Sequence, residues 1–276
     1  MKRCLGILIA LALATACLCA AVAEEKQDEV YWTYAVPMSE LYSDYLRLVN
    51  RDVPLSEDFE PGDLVKINVK RATTAAVQLR KTASTALEAM FTEALSEGYT
   101  LLAKSGYRSY GSQKTIYANR LASNGGEDDG VVNPPGTSEH QTGLACDILN
   151  TDYAGRPRMT TDFAQTAEAQ WMKDNCAAFG FILRYPDEKT DITKVIFEPW
   201  HFRYVGRVAA SYIMREGLTL EEFTDEWQLA VLQFTGSGGD IDAQIALEKE
   251  RELQGPDTRV LELYDEEGEA EISISF

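Results

Sequence analysis

Residues 138–147 read Ser138-Glu139-His140-Gln141-Thr142-Gly143-Leu144-Ala145-Cys146-Asp147, and residues 198–201 read Glu198-Pro199-Trp200-His201. These two stretches hold both histidines of the 276-residue chain, and each histidine lies close to carboxylates. Neutral imidazole is the commonest metal ligand in proteins, and two histidines with one carboxylate and one open position hold catalytic zinc. The sequence therefore predicts a metal site formed by the two stretches.

The first stretch also predicts a strand, over residues 144–148. Alternation along that strand places Cys146 on one face and Asp147 on the other. His140 lies in the loop that enters the strand, so it reaches the same ion as Asp147 only if the chain turns at Gly143, where glycine gives the backbone freedom to turn. His201 would then supply a third ligand from a neighbouring strand and leave the fourth position of zinc to water.

Helices and strands intermix around this strand. Apolar spacing and end signals predict helices over 76–97, 112–122, 162–179 and 207–215, and strands over 101–105, 181–185 and 195–204. Because no regular strand–helix–strand repeat is present, the pattern favours an α+β fold in which a small antiparallel sheet is flanked by helices.

The N-terminus is typical of an export signal. Lys2 and Arg3 precede an apolar run, and Ala21-Val22-Ala23 is an A-x-A cleavage pattern. We therefore expect a signal peptide over 1–23 and a secreted or cell-envelope, extracytoplasmic bacterial protein. A retained anchor and lipidation of Cys17 are the alternatives, and membrane association is expected only with one of them.

The rest of the chain divides into three predicted parts. Residues 24–75 form a lead-in that packs on the domain, and residues 76–227 form the catalytic domain. Residues 228–276 hold twelve acids against three bases, with a hinge predicted at 236–239. Two alternatives are open for that acidic tail. It either forms a hairpin in which residues 260–264 pair with residues 270–276, or it stays solvated and partly disordered.

Composition limits the partners of the chain. The net charge of −18 becomes −20 without the signal, so unspecific attraction to nucleic acid is not expected. A monomer is expected. Outside the signal only Cys146 and Cys176 remain, which form either one disulfide or two buried free thiols.

Glu198 is the candidate general base. Perfect strand alternation would place Glu198 and His201 on opposite faces, but Pro199 lacks an N–H and predicts a break that turns both inward. A carboxylate beside zinc-bound water can accept a proton from the water and later protonate the leaving amine.

Three ordered motifs resemble those of VanY-type D-alanyl-D-alanine carboxypeptidases. They are Ser105-Gly106-Tyr107-Arg108-Ser109 followed by Gln113, the stretch at 138–147, and Glu198-Pro199-Trp200-His201-Phe202-Arg203-Tyr204-Val205-Gly206. The resemblance extends from about residue 45 to residue 227. It implies the fold of lysostaphin and the hedgehog signalling domain, a bound zinc ion, and removal of the C-terminal D-alanine from peptidoglycan stem peptides.

The resemblance also implies roles for single residues. One zinc ion would be held by His140, Asp147 and His201, with Glu198 as the base. Arg108 would neutralise the oxyanion or clamp the substrate carboxylate, and an ordinary salt bridge is its alternative. The positions that would line the substrate pocket are Gln113, Ser138 and Tyr185, each of which can instead be a cap or a local backbone partner.

Two other functions remain open at the level of sequence. The same site would serve an L,D-carboxypeptidase or a peptidoglycan endopeptidase, which ligand motifs do not distinguish. A non-catalytic peptidoglycan-binding protein is the alternative of a different class. The presence of Glu198 and Arg108 argues against it, because a binding protein needs no base.

Overall fold

A computed structural model describes residues 30–254, 261–264 and 270–274. The predicted signal at 1–23 lies outside these described residues. Within the described ranges, no helix combines the length and the apolar character that crossing a membrane requires.

A four-stranded antiparallel sheet lies at the centre of the fold. Its strands are β3 (Leu102–Ser105), β4 (Ala145–Leu149), β5 (Phe181–Leu183) and β6 (His201–Tyr204), in the order β3-β4-β6-β5. Two further antiparallel pairs join β1 (Leu64–Lys66) to β2 (Gln78–Arg80) and β7 (Leu261–Tyr264) to β8 (Ala270–Ile274). The predicted α+β class with a small antiparallel sheet is confirmed.

Helices and short 3-10 turns make up most of the other regular structure in the described ranges. The α-helices of the described ranges are Met38–Leu41, Lys81–Ser96, Tyr110–Ser123, Thr151–Ala154, Ala167–Asn175, Thr190–Thr193, Arg207–Glu216, Leu220–Gly236 and Ile241–Gln254. Short 3-10 turns lie at Asp44–Leu46, Glu139–Thr142, Thr161–Gln165, Cys176–Phe179 and Asp187–Lys189.

The main core forms between the sheet and the helix Lys81–Ser96. Leu87 and Met90 of this helix belong to one buried cluster with Cys146 and Ile148 of β4, all fully excluded from solvent. The opposite face of β4 carries Asp147, which is also buried. The predicted alternation along β4 is therefore present. Every residue of the strand is buried, because both faces of the sheet are covered, so the burial pattern itself does not alternate.

A second apolar cluster joins the lead-in to the C-terminal helices. Val36 and Leu41 pack with Ile213 and Phe223 in this cluster. The Glu40 carboxylate accepts a hydrogen bond of 2.8 Å from the Ala209 amide in the first turn of the helix Arg207–Glu216. The lead-in is thus held by the helices that follow the sheet.

Several element boundaries differ from those expected. The helix predicted over 76–97 begins at Lys81, because residues 78–80 pair with β1 instead. The strand predicted over 195–204 is reduced to β6, because residues 198–200 turn. The helix predicted over 162–179 is divided at Thr166, whose side chain caps the segment 167–175, and it ends at Gly180 in the left-handed conformation.

The acidic segment after residue 227 is helical up to residue 254. One helix, Leu220–Gly236, runs across the predicted boundary at 227–228, and the predicted hinge at 236–239 separates it from the next. The Glu248 carboxylate accepts hydrogen bonds from the amides of Met38 and Ser39, which attaches this segment to the lead-in. Strands β7 and β8 pair as the hairpin alternative predicts.

Both cysteines of the described residues, Cys146 and Cys176, are buried free thiols. Of the two arrangements left open by the sequence, the free thiols are therefore present. Burial raises the pKa of each thiol, so neither is activated as a nucleophile.

Candidate active site

The sheet brings the three predicted metal ligands together. Asp147 of β4 lies directly opposite His201 of β6 in the antiparallel register, so their side chains share one face. His140 lies in the 3-10 turn Glu139–Thr142, and Gly143, with φ of 67°, turns the chain from there into β4. One ligand atom from each of His140, Asp147 and His201 lies within 4.8 Å of the other two.

The donor atoms converge on the Asp147 carboxylate. Nε2 of His140 is 3.3 Å from Oδ2 of Asp147, and Nδ1 of His201 is 3.1 Å from Oδ1. The three side chains are 4–6% exposed, so water screens these contacts poorly. Burial alone would raise the pKa of Asp147, but the two histidines outweigh burial and lower it, which keeps the carboxylate ionised.

The proton position of His140 is set by a backbone carbonyl. Its Nδ1 lies 2.7 Å from the Gly106 oxygen, which can only accept, so Nδ1 donates. Burial lowers the pKa of His140, and the neutral ring then directs the lone pair of Nε2 at Asp147. A lone pair facing a carboxylate is unfavourable unless a cation lies between them.

His201 behaves differently in the absence of a cation. Burial alone would lower the pKa of His201, but the nearby carboxylates of Asp147 and Glu139 raise it to about 9. A proton on Nδ1 of His201, between the ring and the Asp147 carboxylate, would therefore occupy the position of a metal ion bound to Nδ1. Two imidazoles and one carboxylate in this arrangement suit a tetrahedral ion such as zinc, with one position left open.

Glu198 reaches the same place from the turn before β6. The His201 amide donates to the Glu198 carbonyl at 3.1 Å, and this turn directs both side chains inward, as expected from Pro199. Oε2 of Glu198 is 3.7 Å from Nδ1 of His201. Burial raises the pKa of Glu198 to about 7, which is suitable for a group that must both accept and return a proton near neutral pH.

Arg108 is held beside the predicted metal ligands by neutral groups. Its Nη1 donates to Oε1 of Gln113 at 2.8 Å and its Nη2 to Oγ of Ser105 at 3.1 Å, while its amide donates to the His140 carbonyl at 3.1 Å. No carboxylate in the described part of the chain pairs with Arg108. The salt-bridge alternative is therefore wrong within these residues, and the charge remains available to a ligand.

The predicted site residues line one cleft of about 620 Å³, which is bounded by Arg108, Gln113, Ser138, His140, Asp147, Tyr185, Glu198 and His201. Gln113 is 2% exposed and also donates to the Asn133 carbonyl. The Tyr185 ring packs against the His201 ring with centroids 4.9 Å apart. Besides lining the cleft, Gln113 therefore holds the Arg108 side chain, and Tyr185 packs on the His201 ring.

Glu139 is a site residue that sequence reasoning did not single out. It is 1% exposed, and its Oε1 accepts hydrogen bonds from Arg184 at 2.8 Å and Arg203 at 2.7 Å. Its Oε2 is 3.6 Å from Nε2 of His201. The available signal was a carboxylate directly before His140, in the same short stretch as Asp147.

Comparison with known proteins agrees with this geometry. The family model described as VanY, D-alanyl-D-alanine carboxypeptidase, matches residues 76–207. A D-alanyl-D-alanine carboxypeptidase of Enterococcus faecalis (strain ATCC 700802 / V583) is 34% identical over 220 residues, which are 74% of this chain and 69% of that protein.

Solved structures of two carboxypeptidases have the same fold. The LdcB LD-carboxypeptidase, whose structure concerns peptidoglycan recognition, is 44% identical with a TM-score of 0.61 over 64% of this chain and 84% of that chain. The vancomycin resistance D,D-pentapeptidase VanY of a VanB-type cassette, solved with Zn(II), is 33% identical with a TM-score of 0.52 over 65% and 98%. The chain belongs to the VanY family of D-alanyl-D-alanine carboxypeptidases.

Proposed function

We propose that this protein is an extracytoplasmic zinc-dependent carboxypeptidase that removes the C-terminal D-alanine from peptidoglycan stem peptides. The observation that carries the proposal is the convergence of His140, Asp147 and His201 beside Glu198, whose pKa is raised to about 7. Relatives named for D-alanyl-D-alanine and a VanY structure with Zn(II) support the substrate and the metal. The export signal predicted at 1–23 supports the location.

The residues present suit a single zinc ion. His140 would bind it through Nε2, His201 through Nδ1 and Asp147 through its carboxylate. When bound, zinc supplies Lewis acidity that polarises a carbonyl and makes water a better nucleophile at neutral pH.

Glu198 handles the proton in this mechanism. As a carboxylate it accepts a proton from the water that attacks the scissile carbonyl carbon. It then returns that proton to the amine nitrogen as the C–N bond breaks, so that free D-alanine and the shortened peptide are the products. The side-chain oxygen Oε2 of Glu198 is 3.7 Å from Nδ1 of His201, longer than a hydrogen bond, so the carboxylate is able to reach a group in the cleft.

Arg108 and the cleft cations orient the peptide. The guanidinium of Arg108 can clamp the terminal carboxylate or stabilise the oxyanion, because in the described ranges it donates to neutral groups and forms no ion pair. Lys104 and Arg158 also line the cleft, and neither forms an ion pair with any acid in the described ranges. In a chain of net charge −18, a cleft lined by such cations suits an anionic peptide.

An L,D-carboxypeptidase is the second candidate function. The specific observation in its favour is the higher identity and TM-score with the LdcB LD-carboxypeptidase, 44% and 0.61, than with the D,D-pentapeptidase VanY, 33% and 0.52. Both activities use the same proposed residues and differ in the residue that precedes the terminal D-alanine.

The deciding experiment uses defined stem peptides. Purified zinc-loaded protein is incubated with a pentapeptide ending in D-Ala-D-Ala and, separately, with a tetrapeptide ending in one D-alanine. Each incubation is repeated with a chelator, and the products are identified by mass spectrometry. Release of D-alanine that the chelator abolishes is expected. Cleavage of the pentapeptide alone supports D,D specificity, and cleavage of the tetrapeptide alone supports L,D specificity. Zinc-loaded protein that binds both peptides and cleaves neither would contradict an enzymatic function.

A further inference from the structure

We propose that Glu139 is a positioning residue that fixes which ring nitrogen of His201 carries the proton, and therefore which nitrogen is left for the metal. The inference rests on the metal-dependent function proposed above. It concerns a residue of this chain that would not touch the ion itself, and it depends on how the carboxylate of Glu139 is held.

Two buried arginines fix one oxygen of the Glu139 carboxylate. Oε1 accepts from Nε of Arg184 and from Nη1 of Arg203, at 2.8 and 2.7 Å, and all three side chains are fully buried. Arg203 is itself anchored, since its Nη2 donates to the carbonyls of Tyr45 and Arg47. The carboxylate therefore cannot rotate freely, and its second oxygen has a fixed direction.

That second oxygen faces His201. Oε2 of Glu139 is 3.6 Å from Nε2 of His201, and among the described residues neither atom has a hydrogen-bond partner of its own. Buried polar atoms in folded proteins are almost always paired. An ionised carboxylate only accepts, so a hydrogen on Nε2 is the arrangement that this oxygen favours electrostatically, at a separation longer than a hydrogen bond.

The consequence lies on the other side of the imidazole ring. With the hydrogen on Nε2, a neutral His201 directs the lone pair of Nδ1 at Asp147, 3.1 Å away. His140 has the reverse arrangement, with hydrogen on Nδ1 for the Gly106 carbonyl and the lone pair on Nε2. A carboxylate and a carbonyl thus prepare two histidines to bind one ion through different nitrogens.

A purely structural role for Glu139 is the competing explanation, because buried arginines need an anion. Glu221 provides a matched comparison for that role. It accepts two hydrogen bonds from Arg184, at 2.6 and 2.8 Å, but has no contact with His201. Loss of the Glu221 charge disturbs the same arginine without touching the histidine.

The experiment uses the fact that the chain has two histidines. Zinc-loaded protein labelled with ¹⁵N-histidine gives long-range ¹H–¹⁵N spectra in which the two ring tautomers are distinguished, with each ring assigned through its backbone signals. The wild type is expected to show the Nδ1–H form for His140 and the Nε2–H form for His201. In Glu139→Gln, we expect the His201 signals to shift and zinc to bind about 10- to 100-fold more weakly in competition with a chelator.

Two further variants keep the inference testable. Glu221→Gln should lower thermal stability but leave the His201 signals unchanged and zinc affinity within about twofold. Glu139→Asp keeps the charge and should retain the Nε2–H form, so it serves if Glu139→Gln does not fold.

An Nδ1–H form of His201 in the zinc-loaded wild type, or unchanged His201 signals and zinc affinity in Glu139→Gln, would overturn the inference. Protein with the expected tautomers that hydrolyses no stem peptide would contradict the proposed function and leave this inference standing.

Discussion

Asp147 and His201 lie directly opposite each other on β4 and β6, and Oδ1 of Asp147 is 3.1 Å from Nδ1 of His201. At this pairing, a proton on Nδ1 of His201 would compete with the proposed metal ion. Without metal, the carboxylates of Asp147 and Glu139 outweigh burial and raise the pKa of His201 to about 9. The protonated ring satisfies Asp147, and an ion must displace that proton before it can bind Nδ1.

Zinc binding should therefore release a proton. At pH 8 the metal-free His201 is mostly protonated, whereas Glu198, with its pKa at about 7, is mostly ionised. We expect about one proton released per zinc bound at pH 8. Affinity should rise roughly tenfold per pH unit up to pH 9 and level off above it, because the raised pKa keeps the competing proton in place below 9. Calorimetry in buffers of different ionisation enthalpy measures the release, and a value near zero would contradict the assignment.

The substitution Glu198→Gln should separate chemistry from metal binding. The amide cannot accept the proton of the attacking water, so kcat should fall by about 10²- to 10⁴-fold. Zinc content should stay near one per chain, since the proposed metal ligands are other residues. Mass spectrometry of released D-alanine measures the loss of turnover, and elemental analysis measures the zinc content. Glu216→Gln, at an exposed position, is the control. Undiminished kcat in Glu198→Gln would remove Glu198 from the mechanism.

The pH dependence of kcat/KM should have an acidic limb set by Glu198. Burial raises the pKa of Glu198 to about 7, and a bound cation favours the carboxylate and lowers that pKa. The active form of Glu198 is the carboxylate. We therefore expect the apparent pKa of the acidic limb to lie below 7, and kcat/KM to fall about tenfold per pH unit at pH values below that pKa. Rates are measured from pH 5 to 9 with zinc content checked at each point. A flat profile with zinc retained is the outcome that speaks against Glu198 as the base.

Much of the site could be predicted because its residues are close in sequence or lie in recognisable motifs. The strand at 145–149, the turn at Gly143 and the break at Pro199 are local properties of the chain. The convergence of Asp147 with His201 needed one further step, the pairing of two predicted strands. Family resemblance supplied that step.

What could not be predicted depends on contacts between distant residues. The carboxylate of Glu139 meets Arg184 and Arg203, which are 45 and 64 residues away, and no local pattern shows that these charges are buried together. The start of the helix at Lys81 has the same cause, because residues 78–80 pair with Leu64–Lys66. Helical apolar spacing continues through residues 76–80, so the sequence does not show this competition.

Arg108 should contribute strongly to turnover. Arg108→Ala is expected to lower kcat/KM by about 10²- to 10³-fold, the usual effect of losing a group that stabilises developing charge. Kinetics with a stem peptide and its C-terminal amide distinguish the two roles, because a carboxylate clamp has nothing to hold in the amide. The control is Arg215→Ala, which removes an exposed cation that contacts Glu216 and the Tyr212 ring. A kcat/KM for Arg108→Ala within about twofold of the wild type would contradict a substrate role.

Gly143 should be required for both stability and metal affinity. Its φ of 67° is unfavourable for other residues, and an added Cβ would lie 2.8 Å from Cδ2 of Leu64 and 3.2 Å from Cγ of Arg80. Gly143→Ala should therefore reduce the free energy of unfolding by about 1–3 kcal/mol. Because this turn holds His140 at the entry to β4, zinc should also bind more weakly. The matched control is Gly155→Ala, where φ is −88° and no atom lies within 4 Å. Equal urea midpoints for the two variants would show that the left-handed turn is not what holds the ligands together.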